Sequence, residues 1–525
     1  MPPKQASNPI PISLPMSSGL RRFLYLTATL TGAAVLVVEI LGAKMLTPWF
    51  GSSHFVWTAQ ITITLLALAC GYYLGGWAVD RSRRLSLIYG GLVLAASYLA
   101  FTVTIRNPLA AACLNLNLAL GSIVASLILF FVPLTLLAAV GPFFVRMLTS
   151  SVEGVGRAVG RLSFLGTLGS VGGVLLTSYV LVPYCRDSVA MLGTAAALVV
   201  LSAVYFIGWG LGERGGGGVV AGAVAVTVLG FVALRREGES TMKHHVEVAR
   251  ANSHFGSMQV LEAKDGRRRY YLNDFLVQNT YDPVDRRSLS MFTYALFHLA
   301  DGYTPALRNA LCIGLGVGIV PRELAARGVA VDVVEINPAV VPLAKRWFDF
   351  DPSAVNLMID DARHFLRVAT NRYDTIVLDA FLGDSSPSHL MTREAFAEIH
   401  RLLNPEGALV INAFADFETT RDFFGTSLHR TLKAVFREVR VHVSPGGNTF
   451  FVGTDRSPLA FRPPAAFDHV APWCRGELQV ALAAPKAVNE ERGLVLTDDY
   501  NPVDYFDARN RERTRRILAA GADSW

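Results

Sequence analysis

Residues 309–328 read NALCIGLGVGIVPRELAARG and residues 373–381 read YDTIVLDAF. In the first stretch the apolar run 310–313 reads as a buried strand, Gly314-Leu315-Gly316-Val317-Gly318 as a tight glycine turn, and 319–327 as the helix that the turn opens. A second apolar run, 329–334, ends on Glu335, about twenty residues past the first glycine, which is the spacing of a nucleotide-binding βαβ unit. In such a unit glycines let the backbone approach the ligand and the acid holds ribose hydroxyls. Two further strands end the same way. Residues 354–359 run into Asp360-Asp361, and 374–378 run into Asp379, so each strand delivers an acid to the edge where open α/β sheets bind ligands. A glycine turn alone is backbone geometry, and an aspartate after a strand often caps a helix. The four features together, in this order, point to an adenosine-type site.

The remainder of the chain is of another kind. It has 525 residues, enough for two or more domains, and only 17% of them are charged. Its mean hydropathy of +0.37 is too high for an ordinary soluble protein, and the apolar excess lies before residue 235. An apolar stretch follows Arg21-Arg22, and others occupy about 57–79, 85–105, 118–140, 164–183, 188–210 and 217–234. Each is near bilayer length, and the first is too long for a signal-peptide core. The spacing predicts a flexible Pro/Ser-rich leader over 1–20 and about seven transmembrane helices over 21–234.

Arg21-Arg22, then Arg81, Arg83 and Arg84, then Arg146, Arg157 and Arg161 fall in alternate loops, which should be cytoplasmic, so the N-terminus is expected inside the cell membrane. Seven spans would then leave the soluble part outside, where an adenosylmethionine-type donor should be scarce. The expectation drawn is that one of the last two glycine-rich segments, around 208–218 and 219–234, does not cross, and that the soluble domain is cytoplasmic. Glu39, inside the first span, is a functional candidate because an acid at membrane depth is costly. The run 166–173, GTLGSVGG, fits close helix packing.

Residues 235–254 read as a linker, 255–300 as a small β-ribbon turning at 264–267, and 301–525 as the α/β domain, ending in a polar helix from Asp507. The five cysteines are scattered without metal-ligand spacing, so no metal site is indicated. The net charge of +6 includes membrane-flanking arginines and supports no nucleic-acid partner.

The string of Gly314–Gly318, Glu335, Asp361-Ala362 and Tyr373-Asp374…Asp379, with LNDFLVQ at 272–278 before it and LTDDYNPVD at 496–504 after it, resembles the spermidine synthase (polyamine aminopropyltransferase) family. The N-terminal half resembles its membrane-fused members, and the loop GGWAVDRSRR at 75–84 is similar to the cytoplasmic loop between the second and third helices of major-facilitator transporters. The resemblance implies a transmembrane helical bundle followed by a Rossmann-like, adenosylmethionine-methyltransferase-like domain with a β-ribbon ahead of it, and a homodimer by family analogy. It implies a small-molecule polyamine substrate at a lipid bilayer, with decarboxylated S-adenosylmethionine as co-substrate and no tightly bound cofactor. By the same carry-over Asp379 is the general base. Gly314, Gly316 and Gly318 pass the donor's sulfonium end, Glu335 binds the ribose, Asp361 accepts from the adenine amino group with Asp360 beside it, and Pro387 is the later proline of the loop after the base. Gln278, Tyr294 and Asp384 belong to the amine side.

Three departures weaken the amine side. Val317 stands where the family's glycine turn carries an acid, Ala295-Leu296 replaces a histidine and a glutamate for which His298 is the nearest substitute, and the glutamine of the first strand falls near Gly256. The adenosyl half is better kept than the amine half. Two other readings therefore stay open: an adenosylmethionine-dependent methyltransferase or other transferase with a different acceptor, and a non-catalytic polyamine- or nucleoside-binding transporter or sensor.

Overall fold

A computed structural model of the chain describes residues 16–51, 54–149, 154–210, 216–239, 245–274, 276–381, 387–489, 491–507, 510 and 512–513. The N-terminal half is helical throughout: α1 (Ser18–Phe50), α2 (His54–Arg81), α3 (Leu85–Cys113), α4 (Leu118–Leu148), α5 (Val155–Tyr184) and α6 (Asp187–Gly208), then α7 (Gly216–Glu239). Among the described residues the first six are long and apolar enough to cross a membrane, while α7 carries a shorter apolar stretch, Gly217–Ala233. Of the seven helices expected over 21–234, six among the described residues have bilayer length and one is shorter.

Along α3 the residues Tyr89, Leu92, Ala96, Leu99 and Val103 recur at helical spacing and are buried. Leu65, Tyr73, Phe164, Ile207 and Phe231 stand on the outer surface instead, where a water-facing bundle would carry polar side chains. Helices α1 and α5 approach closely through the small residues of 166–173. A Cβ on Gly169 would overlap the Thr29 carbonyl, and the Ser170 hydroxyl donates to the Gly32 carbonyl at 3.0 Å. Glu39 is partly buried on α1 and faces Thr64 of α2.

The soluble half opens with β1 (His245–Ser253), β2 (Gly256–Ala263), β3 (Arg269–Asn273), β4 (Leu276–Asp282) and β5 (Arg287–Ser288), an antiparallel sheet in chain order. The stretch expected to be a linker, 235–254, is therefore divided between the end of α7 and the first strand of this sheet. Next come α8 (Met291–Tyr303), β6 (Asn309–Ile313), α9 (Ile319–Ala325), β7 (Ala330–Glu335), α10 (Val340–Trp347), β8 (Asn356–Ile359), α11 (Ala362–Val368), β9 (Tyr373–Leu378) and α12 (Arg393–Leu402). The chain continues through β10 (Leu403–Ala413), α13 (Phe423–Lys433), β11 (Glu438–Val443), β12 (Thr449–Thr454), α14 (Pro472–Ala483) and α15 (Val503–Phe506).

These strands form a second sheet in the order β8-β7-β6-β9-β10-β12-β11. It is parallel except for β12, which runs against both of its neighbours. The central parallel strands β6, β9 and β10 are apolar on both faces because helices cover both. Cys312, Val333, Val377 and Val410 pack toward α8, α10 and α14. Leu311, Ile313, Ile376 and Ile411 pack toward α11, α12 and α13. The fold is Rossmann-like, and strand order reverses between β6 and β9, which opens a crevice at their carboxyl ends.

The LTDDYNPVD segment works as a clasp behind that crevice. The nearly buried Arg363 of α11 donates to Asp498 at 2.6 Å, and the Thr392 hydroxyl donates to the other oxygen of that carboxylate at 2.6 Å. The Asn501 amide donates to the Ser388 carbonyl at 2.8 Å. Replacing Asp498 by Ala leaves Arg363 with Glu398 at 3.9 Å as its remaining acid. The expected cost is roughly 2 kcal/mol, typical of a buried donor stripped of its partner. A lower thermal midpoint of the Asp498→Ala protein, followed by tryptophan fluorescence, is the check, and an unchanged midpoint would refute the clasp.

Candidate active site

A cleft of about 750 Å³ lies over the carboxyl ends of β6 to β10. Its floor is the glycine turn, where Gly314, Gly316 and Gly318 have φ of 94°, 54° and 80°, in the left-handed region that side chains disfavour. At Gly314 a Cβ would collide with the Asp379 carbonyl, and at Gly318 with the Phe350 ring. Gly314 and Gly316 line the cleft, whereas Gly318 caps α9 and packs against Phe350. Two hydrogen bonds pin the turn: Gly314 N–H donates to the Val334 carbonyl at 2.9 Å, and Asp379 N–H to the Ile313 carbonyl at 3.0 Å.

Glu335 ends β7 with both carboxylate oxygens held by backbone, one by Leu315 N–H at 2.8 Å and the other by Asn337 N–H at 2.7 Å. Burial raises its pKa, and bonds from the Leu315, Asn337 and Ile336 backbone N–H groups oppose the rise. The result is a fixed acceptor on the cleft wall, suited to a pair of hydroxyls. At the end of β8, Asp361 caps α11 by accepting from His364 N–H at 3.0 Å, and its second oxygen is 4.0 Å from His389 Nε2. Asp360 accepts from Asp361 N–H at 2.8 Å and lies 2.7 Å from His364 Nδ1. Both aspartates line the cleft.

Asp379 ends β9 on the opposite side of the turn. It accepts from the Asn412 amide at 2.9 Å, and Asn412 in turn accepts from the Asn448 amide at 3.0 Å. Burial pushes the Asp379 carboxyl up to about 6, with the Asn412 bond pulling the other way. A carboxyl so poised can exchange a proton near neutral pH. Gln278 and Pro387 also line the cleft. Asp384 lies outside the described residues.

Other expected positions fall elsewhere. Tyr294 does not reach the cleft: it is buried in α8, and its hydroxyl donates to the Ser288 carbonyl at 2.7 Å. His298, the nearest substitute for the replaced histidine and glutamate, is turned the same way. It is buried against Phe467 and His469, and desolvation, then the charges of His469 and Arg327, lowers its pKa to about 3. Val317, Ala295 and Leu296 are core residues. None of the three lines the cleft.

Residues not anticipated from sequence include Asn412, Asn448, Asn279 and Asp416, all on the cleft wall. Asn412 sits at the end of β10, the same place on its strand as the acids on β7, β8 and β9, and asking for any polar residue there would have found it. Asp416 and Glu418 come from a loop and Arg513 from a helical stretch after α15, with no such signal. Asp416 is paired with Arg421 at 2.8 Å and Arg513 at 3.4 Å, so this part of the wall carries matched charges. Among the described residues no group of three or more His, Cys, Asp or Glu side chains is placed to hold a metal ion.

Residues 290–445 match the family model of the spermine/spermidine synthase domain. The α/β half of the chain is thus similar to spermidine synthase domains. Over 141 residues, 26% of the chain, it is 41% identical to the polyamine aminopropyltransferase of Vibrio vulnificus, covering 46% of that protein. Over 176 residues, 30% of the chain, it is 33% identical to an N-terminal histidine N-methyltransferase of Emericella nidulans, covering 31% of it. The chain thus spans less than half the length of either relative. A polyamine aminopropyltransferase of Clostridium beijerinckii is 24% identical over 223 residues, 40% of the chain and 76% of that protein. The crystal structure of spermidine synthase from Thermotoga maritima is similar with a TM-score of 0.38 and 19% identity, covering 46% of this chain and 86% of that one.

On the cleft wall, Glu335 is the carboxylate fixed in place by backbone donors. Glu335→Ala removes the acceptor and leaves the Leu315 and Asn337 N–H groups without it. Methylthioadenosine binding to the full chain is expected to weaken by about 10–100-fold, the loss of one to two charge-assisted hydrogen bonds. Titration calorimetry checks this, and unchanged affinity would remove Glu335 from the site.

Proposed function

We propose that the chain is a membrane-anchored, spermidine-synthase-type aminopropyltransferase, moving the aminopropyl group of decarboxylated S-adenosylmethionine to a diamine such as putrescine. The observation that carries the proposal is the placing of Asp379, a carboxylate raised to about 6, across one glycine turn from the backbone-held Glu335. In this reading Glu335 takes the ribose hydroxyls, Asp361 the adenine amino group with Asp360 steadying the same loop, and Pro387 the wall over the base. Gly314 and Gly316 give the sulfonium end passage, and Gln278 borders the amine. The outward apolar side chains of the bundle face lipid.

In the transfer step the amine nitrogen attacks the aminopropyl carbon next to sulfur. The C–N bond forms as the C–S bond breaks, its electron pair returns to sulfur, and methylthioadenosine leaves. The proton lost by the amine passes to Asp379. A carboxylate serves both ends of this step, since it attracts the cationic amine before reaction and accepts its proton during it.

A second reading, methyl transfer from S-adenosylmethionine to another acceptor, is favoured by the identity with the histidine N-methyltransferase and by Lys486 and Arg513 beside the acids on the acceptor wall. Incubating the full chain with each donor and putrescine separates the two. Spermidine plus methylthioadenosine supports aminopropyl transfer; a methylated product formed only from S-adenosylmethionine overturns it.

The base must be ionised to work, so kcat/KM is expected to rise with pH and reach half its plateau near pH 6, the value to which burial pushes Asp379. Asn412→Leu removes the bond that favours the charged form and should move this limb to higher pH. Asp379→Asn should lose about 10²–10⁴-fold in turnover while keeping methylthioadenosine affinity. Retained turnover would exclude Asp379 as the base, and a wild-type chain that binds nucleoside without turning over any donor would favour the non-catalytic binder.

A further inference from the structure

We infer that the soluble domain lies on the non-cytoplasmic face of the membrane, opposite the arginine-rich end of the bundle. This rests on the membrane-spanning reading of α1–α7 proposed above, and it replaces the sequence-based expectation of a cytoplasmic domain.

The bundle has two ends that the contacts identify independently. One gathers the start of α1, the start of α3 and the end of α6. There Phe23 stacks on Tyr89 and Trp209 at 5.8 and 5.1 Å between ring centroids, and Tyr89 stacks on Tyr205 at 4.0 Å. The other gathers the end of α1, the end of α3 and the starts of α4 and α6. Gly121 lies against Phe50 and the Cys113 carbonyl, and Lys44 is 3.9 Å from Asp187. The soluble half sits on this second end. His54 and Phe55, at the start of α2, have their rings 6.4 and 6.2 Å from that of Tyr505, and Tyr179, near the end of α5, is 6.4 Å from His254.

Helix α7 decides the parity. A surface helix lying along the membrane would leave the domain on the arginine-rich side, whereas a crossing helix carries it over. Val219, Val226 and Ala233, seven residues apart, are buried, and α7 packs along both α3 and α6. It is a member of the bundle. Its 24 residues measure about 36 Å at 1.5 Å each, and its 17-residue apolar stretch is within the range that crosses a hydrocarbon core. It starts at the first end, after α6, and finishes at the second, where β1 begins.

The basic residues then orient the whole. Arg21, Arg22, Arg81, Arg83, Arg84, Arg146, Arg157 and Arg161 belong to the first end. The second end has Lys44, Arg106, Arg186, Arg235 and Arg236, of which Lys44 is paired with Asp187. The excess lies at the first end and on the first helix, which usually dominates orientation, so that end is cytoplasmic. The soluble domain is therefore outside. Its cleft, with Asp379, is on the outer side of the membrane.

The test uses the full chain in intact cells, with Cys70 and Cys185, the two cysteines that are not buried, replaced by Ser. Arg267→Cys marks the β2–β3 turn, and Ser82→Cys marks the loop between α2 and α3. A membrane-impermeant maleimide is expected to label Arg267→Cys to the same extent before and after permeabilisation, and Ser82→Cys only after it. The opposite pattern, or labelling of both in intact cells, overturns the inference. If a variant is not recovered, alkaline phosphatase fused after the full chain gives a second measure, with activity expected and its absence from a membrane-inserted fusion counting against. Neither readout involves turnover, so a failure here leaves the aminopropyltransferase reading standing, and loss of that reading leaves this one.

Discussion

Two strand ends can share a crevice only where no side chain stands between them, and Gly314 is where this chain meets that condition. A Cβ there would overlap the Asp379 carbonyl, and the backbone takes a φ of 94° that a side chain would resist. The turn that follows gives Leu315 N–H to Glu335, while Asp379 N–H returns to Ile313. This glycine therefore lets the end of β9 lie against the turn whose Leu315 N–H holds Glu335. The cores on either face of the sheet hold β6, β7 and β9 in the register that brings these groups together.

The acids of the cleft differ in how their charge is supported. Burial acts on Glu335 and Asp379 alike, but Glu335 receives three backbone N–H bonds and Asp379 one side-chain amide. Glu335 is fixed from the backbone on both oxygens, while Asp379 is held by one side chain. Asn412 is thus a tuning residue for Asp379, and Asn448 fixes Asn412. Asp416, by contrast, is spent on Arg421 and Arg513 and adds little net charge to the acceptor wall.

The helical half packs by a different rule. Its small residues meet where α1 and α5 nearly touch, and its large apolar ones face outward, as the proposed lipid surroundings would favour. The soluble half rests on the end of the bundle through His54, Phe55, Tyr179 and the chain leaving α7. Tyr505 in that contact lies five residues before Asn510, which lines the cleft.

Much of this was legible in the sequence because it is local. Apolar runs of bilayer length, a strand–glycine–helix pattern and acids at strand ends each occupy a few consecutive residues, and the edge of a parallel sheet collects strand ends whatever else the fold does. Gly314, Gly316, Glu335, Asp360, Asp361 and Asp379 were found in that way. What depends on rotation or on distant partners was not. Tyr294 and His298 look polar enough for a site, but packing of α8 on β10 and α14 turns them inward. Asn448 reaches Asp379 only through Asn412 on another strand, and α7 reads as a marginal glycine-rich segment until its contacts with α3 and α6 show it to be part of the bundle. The sequence by itself determined the elements and the acids at their ends; the tertiary structure decided which faces meet and at which end of the bundle the site stands, because those are set by contacts between residues far apart in the chain.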